Sequence, residues 1–202
     1  MLAPTPTIVY LHGFNSAPTS AKGRLLAQAA ADLPSPPHFY LPQLPHRPAQ
    51  AIDEIEALLH ARAVGTAALT FIGSSLGGYY ATWLAERHHA RAVVINPAVQ
   101  PHASLESFLG PQHNPYTGEA YVLTAAHLGE MRALRVARIT HPQRYFLLVR
   151  SSDELLDWRQ AVAYYAGGWQ YVAGGGDHGW TDFADEVASV LRFACGAAWH
   201  PW

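Results

Sequence analysis

Six short runs of apolar, β-branched or aromatic residues recur along the chain, with helix-like segments between them. They are Thr7–Leu11, His38–Leu41, Ala67–Ile72, Ala92–Ile95, Tyr145–Val149 and Gln170–Val172. Near-continuous apolar runs of this length predict strands covered on both faces, as in a parallel sheet. The intervening segments carry the helical period. Ile52, Ile55 and Leu59 fall at i, i+3, i+7, and Trp158, Val162 and Tyr165 at i, i+4, i+7. Phe183, Val187, Val190, Leu191 and Ala194 mark a last helix, with Thr181 as its cap. Leu25, Leu26, Ala29 and Ala30 predict a further helix, weakened by Gly23. Strands alternating with helices give an α/β fold with right-handed crossovers.

Two stretches break the alternation. Leu33–Pro48 is rich in proline and loops around one short strand. Val99–Gln143 contains Pro101, Pro111, Pro115 and Pro142, shows no strand-like run, and has helical pieces at Leu105–Leu109 and Leu128–Val136. An excursion of this length predicts a lid or wall over a pocket, or else a helical cover for one edge of the sheet. The expected architecture is one domain over residues 1–202. It has a mostly parallel six-stranded sheet, helices on both faces and a helical cap or insertion near residues 99–143.

Composition adds exclusions. Half of the 202 residues are hydrophobic and 14% are charged, which suits a packed core. A net charge of −2 offers no basic footprint for nucleic acid or a membrane surface, and neither is expected as a partner. The one cysteine, Cys195, cannot form an internal disulfide. Met1–Tyr10 lacks the charged start of a secretory signal, and no apolar stretch approaches the ~18 residues of a membrane helix. A cytoplasmic location is expected.

The most informative segment is Phe71-Ile72-Gly73-Ser74-Ser75-Leu76-Gly77-Gly78, which holds Gly-x-Ser-x-Gly in one frame, centred on Ser75. A serine thrust out at a sharp strand-to-helix turn takes a strained backbone. Side chains two residues to either side would strike the neighbouring elements, and Gly73 and Gly77 remove them. A serine hydroxyl needs a base to act as a nucleophile at neutral pH. Of twelve histidines, His178 is the one placed between the last strand and the last helix. His200 lies in a terminal tail, and His88 and His89 end a helix and read as solvated. The acid belongs after the preceding strand, where Asp153 is the first choice and Glu154 and Asp157 are alternatives. Asp177 adjoins His178, but adjacent side chains diverge. An oxyanion hole needs two donors. The N–H of Leu76 supplies one, and the turn Leu11-His12-Gly13-Phe14-Asn15-Ser16 supplies the other through Phe14, with Asn15 as runner-up. No phosphate-loop or dinucleotide fingerprint, His-Glu-x-x-His or paired metal-ligand spacing occurs, so no cofactor and no metal are expected.

With these residues assembled, the sequence resembles the YqiA/YcfP-like esterases, a small-protein branch of the α/β-hydrolase superfamily. The likeness rests on Tyr10-Leu11-His12-Gly13-Phe14-Asn15-Ser16, Pro42-Gln43-Leu44-Pro45, Gly73–Trp83 and Asn96-Pro97-Ala98-Val99. It extends through Asn114-Pro115-Tyr116-Thr117-Gly118, Asp153-Glu154 and Gln160–Tyr165. The resemblance implies a minimal hydrolase sheet and activity on acyl esters or thioesters. It carries the nucleophile, acid and base onto Ser75, Asp153 and His178. The chain departs from the family at Gly176-Asp177-His178, where Gly-Gly-Asn-His is common, and the tail from Gly196 to Trp202 has no clear counterpart.

The expectation is a serine esterase that uses a Ser75-linked acyl-enzyme and a small-molecule acyl ester or thioester as substrate. Asn15, Tyr116 and Tyr121 are expected near the acyl pocket. Acyl transfer or another reaction on the same residues, and a non-catalytic binding protein, remain open readings.

Overall fold

A computed structural model describes residues 4–196, so the tail beyond Gly196, with His200, lies outside the described residues. In chain order the elements are β1 (Thr7–Leu11), α1 (Ala21–Ala31), β2 (His38–Tyr40), α2 (Pro48–Ala61), β3 (Leu69–Ser74), α3 (Leu76–His88) and β4 (Arg91–Ile95). There follow α4 (Pro101–Ser104), β5 (Gly110–His113), β6 (Ala120–Leu123), α5 (Ala125–Ala133), β7 (Tyr145–Arg150), α6 (Trp158–Tyr164), β8 (Trp169–Ala173) and α7 (Val187–Ala194).

The six expected strands form one sheet in the order β2-β1-β3-β4-β7-β8, with every pairing parallel. Alternate side chains divide its two faces. Val9, Leu11, Phe71, Val94, Leu147 and Val149 pack toward α2, α3, α5 and α6. Ile8, Tyr10, Ile72, Val93, Ile95 and Leu148 pack toward α1 and α7. Burial on both faces is what makes the strands read as unbroken apolar runs. The expected parallel six-stranded sheet with helices on both faces is present.

Four local expectations are corrected. The 99–143 excursion does contain strands: β5 and β6 pair as an antiparallel hairpin. Gly110 and Pro111 hide this in the sequence, because β5 lacks any apolar alternation. The expected helix at Leu128–Val136 starts earlier, at Ala125, because Thr124 caps it in a reciprocal box with His127. Histidine rather than Glu or Gln fills the third helical position there, so the usual signature is missing. The last helix begins at Val187, after a 3₁₀ turn at Phe183–Glu186, and Thr181 does not cap it. The Thr181 hydroxyl instead donates to Asp177 Oδ2 at 2.7 Å. His88 is also not simply solvated, since its Nε2 lies 3.0 Å from Glu56.

Strand order reverses between β1 and β3, since β2 lies to one side and β4, β7 and β8 to the other. In open parallel sheets, ligands settle at the carboxyl ends of the strands that flank such a switch point. Those ends carry the turn after Leu11 and the turn at Ser75.

The packing there is close. A Cβ on Gly77 would lie 2.0 Å from the Leu11 carbonyl oxygen, a contact with backbone that cannot move aside. Gly77→Ala is therefore expected to cost more than about 3 kcal/mol or to prevent folding. Gly65→Ala, where a Cβ meets nothing within 4 Å, is expected to change stability by less than about 1 kcal/mol. Urea denaturation of the two variants checks the contrast.

Candidate active site

Ser75 stands between β3 and α3 with φ 56° and ψ −121°, a backbone region disfavoured for any residue with a Cβ. Hydrogen bonds fix it there. Its N–H donates to Ile95 O at 3.0 Å, and its carbonyl accepts from Gly78 N at 2.9 Å and Ala98 N at 3.1 Å. Gly73 is equally constrained, since a Cβ would fall 2.1 Å from Gly77 O. The expected steric reason for both glycines is thus visible in the packing.

His178 reaches this serine from the loop after β8. Its Nε2 lies 2.9 Å from Ser75 Oγ, and its Nδ1 lies 2.8 Å from Asp153 Oδ2. The Asp153 side chain is 2% exposed and that of His178 14%, so the pair is largely withdrawn from water. The other Asp153 oxygen, Oδ1, accepts from the N–H groups of Leu155 and Leu156, both at 2.9 Å. Burial works to raise the Asp153 pKa, but the hydrogen bonds from His178, Leu156 and Leu155 outweigh it. The carboxyl group is held below the ordinary 3.8. With Nδ1–H donating to this carboxylate, Nε2 presents its lone pair to the serine hydroxyl.

The three other acidic candidates have different partners. Glu154 Oε2 accepts the backbone N–H of His178 at 2.9 Å, and Asp157 caps α6 by accepting from Arg159 N at 3.0 Å. The Asp177 carboxylate, the departure from the family pattern, turns to Thr181. That hydrogen bond, first among several influences, holds its pKa low.

Sequence reasoning assigned no role to Asn96, which is 2% exposed at the end of β4 with φ 40°. Its Nδ2 donates to His178 O at 2.9 Å and to Asp177 O at 3.3 Å, while its Oδ1 accepts from Arg150 N at 2.9 Å. One amide thus joins β4, the end of β7 and the histidine loop. The available signal was the Asn96-Pro97 pair directly after a strand, since asparagine tolerates a left-handed backbone. Trp180 anchors the far side of the loop. It is 2% exposed, and the Arg150 guanidinium lies 5.1 Å from its ring centre.

Beside Ser75 runs the turn after β1, and a Cβ on Gly13 would lie 3.1 Å from Ser75 Cβ. Phe14 and Leu76 both line a cavity of about 650 Å³ that also contains Ser75 and His178. Leu76 is the first residue of α3, so its N–H has no acceptor within the helix. The insertion forms a wall of this cavity through Pro101, Leu105, Phe108 and Tyr116. Asn15 lines the cavity too, but its side chain is engaged. Its Nδ2 donates to Gln112 Oε1 at 3.1 Å, and its Oδ1 accepts from Tyr121 Oη at 2.8 Å. Tyr121, expected at the pocket, is corrected to a position outside this cavity. Its ring stacks on His46 at 4.3 Å, and it lines a separate hollow of about 30 Å³ across the 13–16 turn. Among the described residues, no group of three or more His, Cys, Asp or Glu side chains is arranged to hold a metal ion. No helix among them is long and apolar enough to cross a membrane.

Solved structures share this architecture. A candidate hydrolase from Agrobacterium vitis S4 superposes with a TM-score of 0.72 at 21% identity, covering 95% of this chain and 88% of the other. Alpha/beta hydrolase domain-containing protein 10 from mouse gives 0.68 at 17% identity, over 95% and 92% of the two chains. The monoacylglycerol lipase of Paleococcus ferrophilus gives 0.65 at 15% identity, over 95% and 96%. At these identities the likeness is one of fold. The sequence itself matches a family model from residue 7 to residue 195, and the chain belongs to that family, the uncharacterised protein family UPF0227, whose YqiA/YcfP-like motifs it carries.

Proposed function

We propose that the protein is a serine hydrolase that cleaves carboxylic acyl esters or thioesters through an acyl-enzyme on Ser75. One observation carries this reading: a single imidazole lies 2.9 Å from the serine hydroxyl and 2.8 Å from a buried carboxylate. In the proposed reaction, Ser75 Oγ attacks the acyl carbonyl as His178 Nε2 takes its proton, and Asp153 stabilises the imidazolium. The N–H groups of Leu76 and Phe14 receive the oxyanion, each contributing roughly 3–4 kcal/mol in the transition state. His178 then protonates the departing alcohol or thiol and activates the water that frees the acyl group. The apolar wall of the cavity suits an acyl chain, and the lipase with the same fold acts, by its name, on an ester of glycerol.

Ser75→Ala is expected to lower turnover of a chromogenic acyl ester by about four to six orders of magnitude and to abolish labelling by a fluorophosphonate probe. Near-normal hydrolysis by this variant would overturn the assignment.

Asp153→Asn is expected to lower kcat by about 10⁴-fold, because the amide selects the wrong imidazole tautomer. The depressed Asp153 pKa has its own signature. Below 3.8 the unfolded chain takes up a proton that the folded state still refuses. Stability conferred by this carboxylate is therefore present above that pH and lost as pH falls through the lower folded value. Thermal melts of the wild type are expected to fall off more steeply with acid than those of Asp153→Asn.

Asn96→Asp removes the donors to the histidine loop while keeping an acceptor for Arg150 N. It is expected to lower kcat by on the order of 10- to 100-fold through misplacement of the imidazole, with a smaller change in KM. Steady-state kinetics separate the two parameters.

A further inference from the structure

Twelve of the thirteen basic residues of this chain are arginine, and the single lysine is Lys22. It lies in the first turn of α1 and lines the same cavity as Ser75 and His178. Its Nζ donates to the carbonyl of Gly179, the residue after the candidate base. An ammonium carries three donors, and this is the one hydrogen bond it makes among the described residues. No carboxylate among them lies within ion-pair distance of it.

The carboxylates that face this corner are already engaged. On the histidine loop, Asp177 accepts from Thr181. On the loop after β7, Asp153 accepts from His178 Nδ1, and Glu154 accepts from the His178 backbone N–H. Tyr10 and Tyr116 also line the cavity, and burial pushes the Tyr10 hydroxyl up to about 12, so it stays neutral near pH 7. Burial of the ammonium pushes the Lys22 pKa down to about 8, against the weaker opposing pull of Asp177 and Asp153. A partly buried cation without a counter-ion is costly, and a ligand that brings an anion to it recovers that cost on binding.

We infer that Lys22 is a specificity residue that receives an anionic group, a carboxylate or phosphate, on the leaving-group side of the substrate. This rests on the esterase reading above. The choice of side rests on one contact: Nζ is tied to Gly179 O, in the loop that carries His178, the group that protonates the departing oxygen or sulfur. The rest of the cavity offers Leu105, Phe108, Leu155 and Leu156 to an apolar acyl chain. The substrate class is thus an apolar acyl ester or thioester of an acidic alcohol or thiol.

The test compares matched butyrate esters of a neutral phenol, of the same phenol bearing a carboxylate, and of the same phenol bearing a phosphate, with a neutral-phenol half-ester of succinate placing the anion on the acyl side. The wild type is expected to favour at least one of the anionic-phenol esters, and Lys22→Met to lower that anionic-over-neutral ratio of kcat/KM by on the order of 10- to 100-fold. A purely structural role at Gly179 would lower both rates together and leave the ratio unchanged, which overturns the proposal. So does a ratio that responds with the succinate half-ester alone. In the wild type the preference is expected below about pH 8, where the ammonium keeps its proton, and to fade above it. In Lys22→Met the ratio is expected to be flat across that range, and a parallel decline in the variant counts against the proposal. The underlying reading fails separately: if Ser75→Ala hydrolyses the neutral ester normally, the serine mechanism falls whatever the Lys22 ratio does.

Discussion

A residue with a Cβ held at φ 56° costs of order 1–3 kcal/mol, and it persists only where its surroundings over-determine it. At Ser75 those surroundings are three backbone hydrogen bonds and two glycines pressed against backbone. The bond from Ser75 N to Ile95 O ties the turn to β4, and that from Ala98 N ties it to the chain leaving β4. Every other group at the site is arranged around a serine oxygen whose position is fixed this way. The nearness of Gly77 to Leu11 O also sets the distance between α3 and β1, and with it the approach of the 13–16 turn.

The two halves of the site are held by different means. On the side of Asp153 and His178, hydrogen bonding runs beyond the strand ends. Ser151 N donates to Ala173 O at 2.9 Å, and Gly175 N donates to Ser151 Oγ at 2.9 Å. Asn96 then joins both loops to β4. On the other side, the 13–16 turn is gripped by the insertion. Gln112 and Tyr121 hold the Asn15 side chain, and Asn114 Nδ2 donates to Ser16 O at 2.9 Å. The insertion is in turn fixed to the body by the Arg47–Glu130 ion pair and by Tyr79 Oη donating to Met131 O at 2.6 Å. Residues 99–143 therefore form a wall of the cavity and also brace the 13–16 turn.

What was legible in the sequence follows from where each cause lies. The strands were legible because burial on both faces leaves unbroken apolar runs, and Ser75 because its steric demands fall on residues two positions away. Strand order pointed to His178 and to the loop after β7, but within that loop it left Glu154 and Asp157 beside Asp153. The hairpin was not legible, because Gly110-Pro111-Gln112-His113 has no apolar alternation, although its partner β6 follows closely in the chain. Asn114-Pro115-Tyr116-Thr117-Gly118 stood out as a motif, yet its purpose required the fold. Asn114 Oδ1 accepts from Tyr116 N at 2.9 Å to close the turn, while its amide reaches Ser16. Likewise, Pro42-Gln43-Leu44-Pro45 is matched to His12, whose Nε2 accepts from Leu44 N at 3.0 Å. Tyr121 was misplaced for the same reason: an aromatic residue in an insertion does not reveal which side of a turn it will face.

The acidic residues around the imidazole show how one arrangement settles two questions. Loops lack a regular ladder, so their N–H groups and hydroxyls take side-chain acceptors where they can. Glu154, Asp157 and Asp177 each fill that need, for His178 N, Arg159 N and the Thr181 hydroxyl respectively. Asp153 does so with Oδ1 and turns Oδ2 to the ring, which is why it, among the described carboxylates, pairs with His178. The same engagements draw every nearby carboxylate away from Lys22. A cation in the first turn of a helix is ordinarily a solvated surface group, and nothing in its local sequence distinguishes this one. Its character comes from neighbours more than a hundred residues away that have each found another partner, and from its place on the wall of the cavity that holds Ser75 and His178.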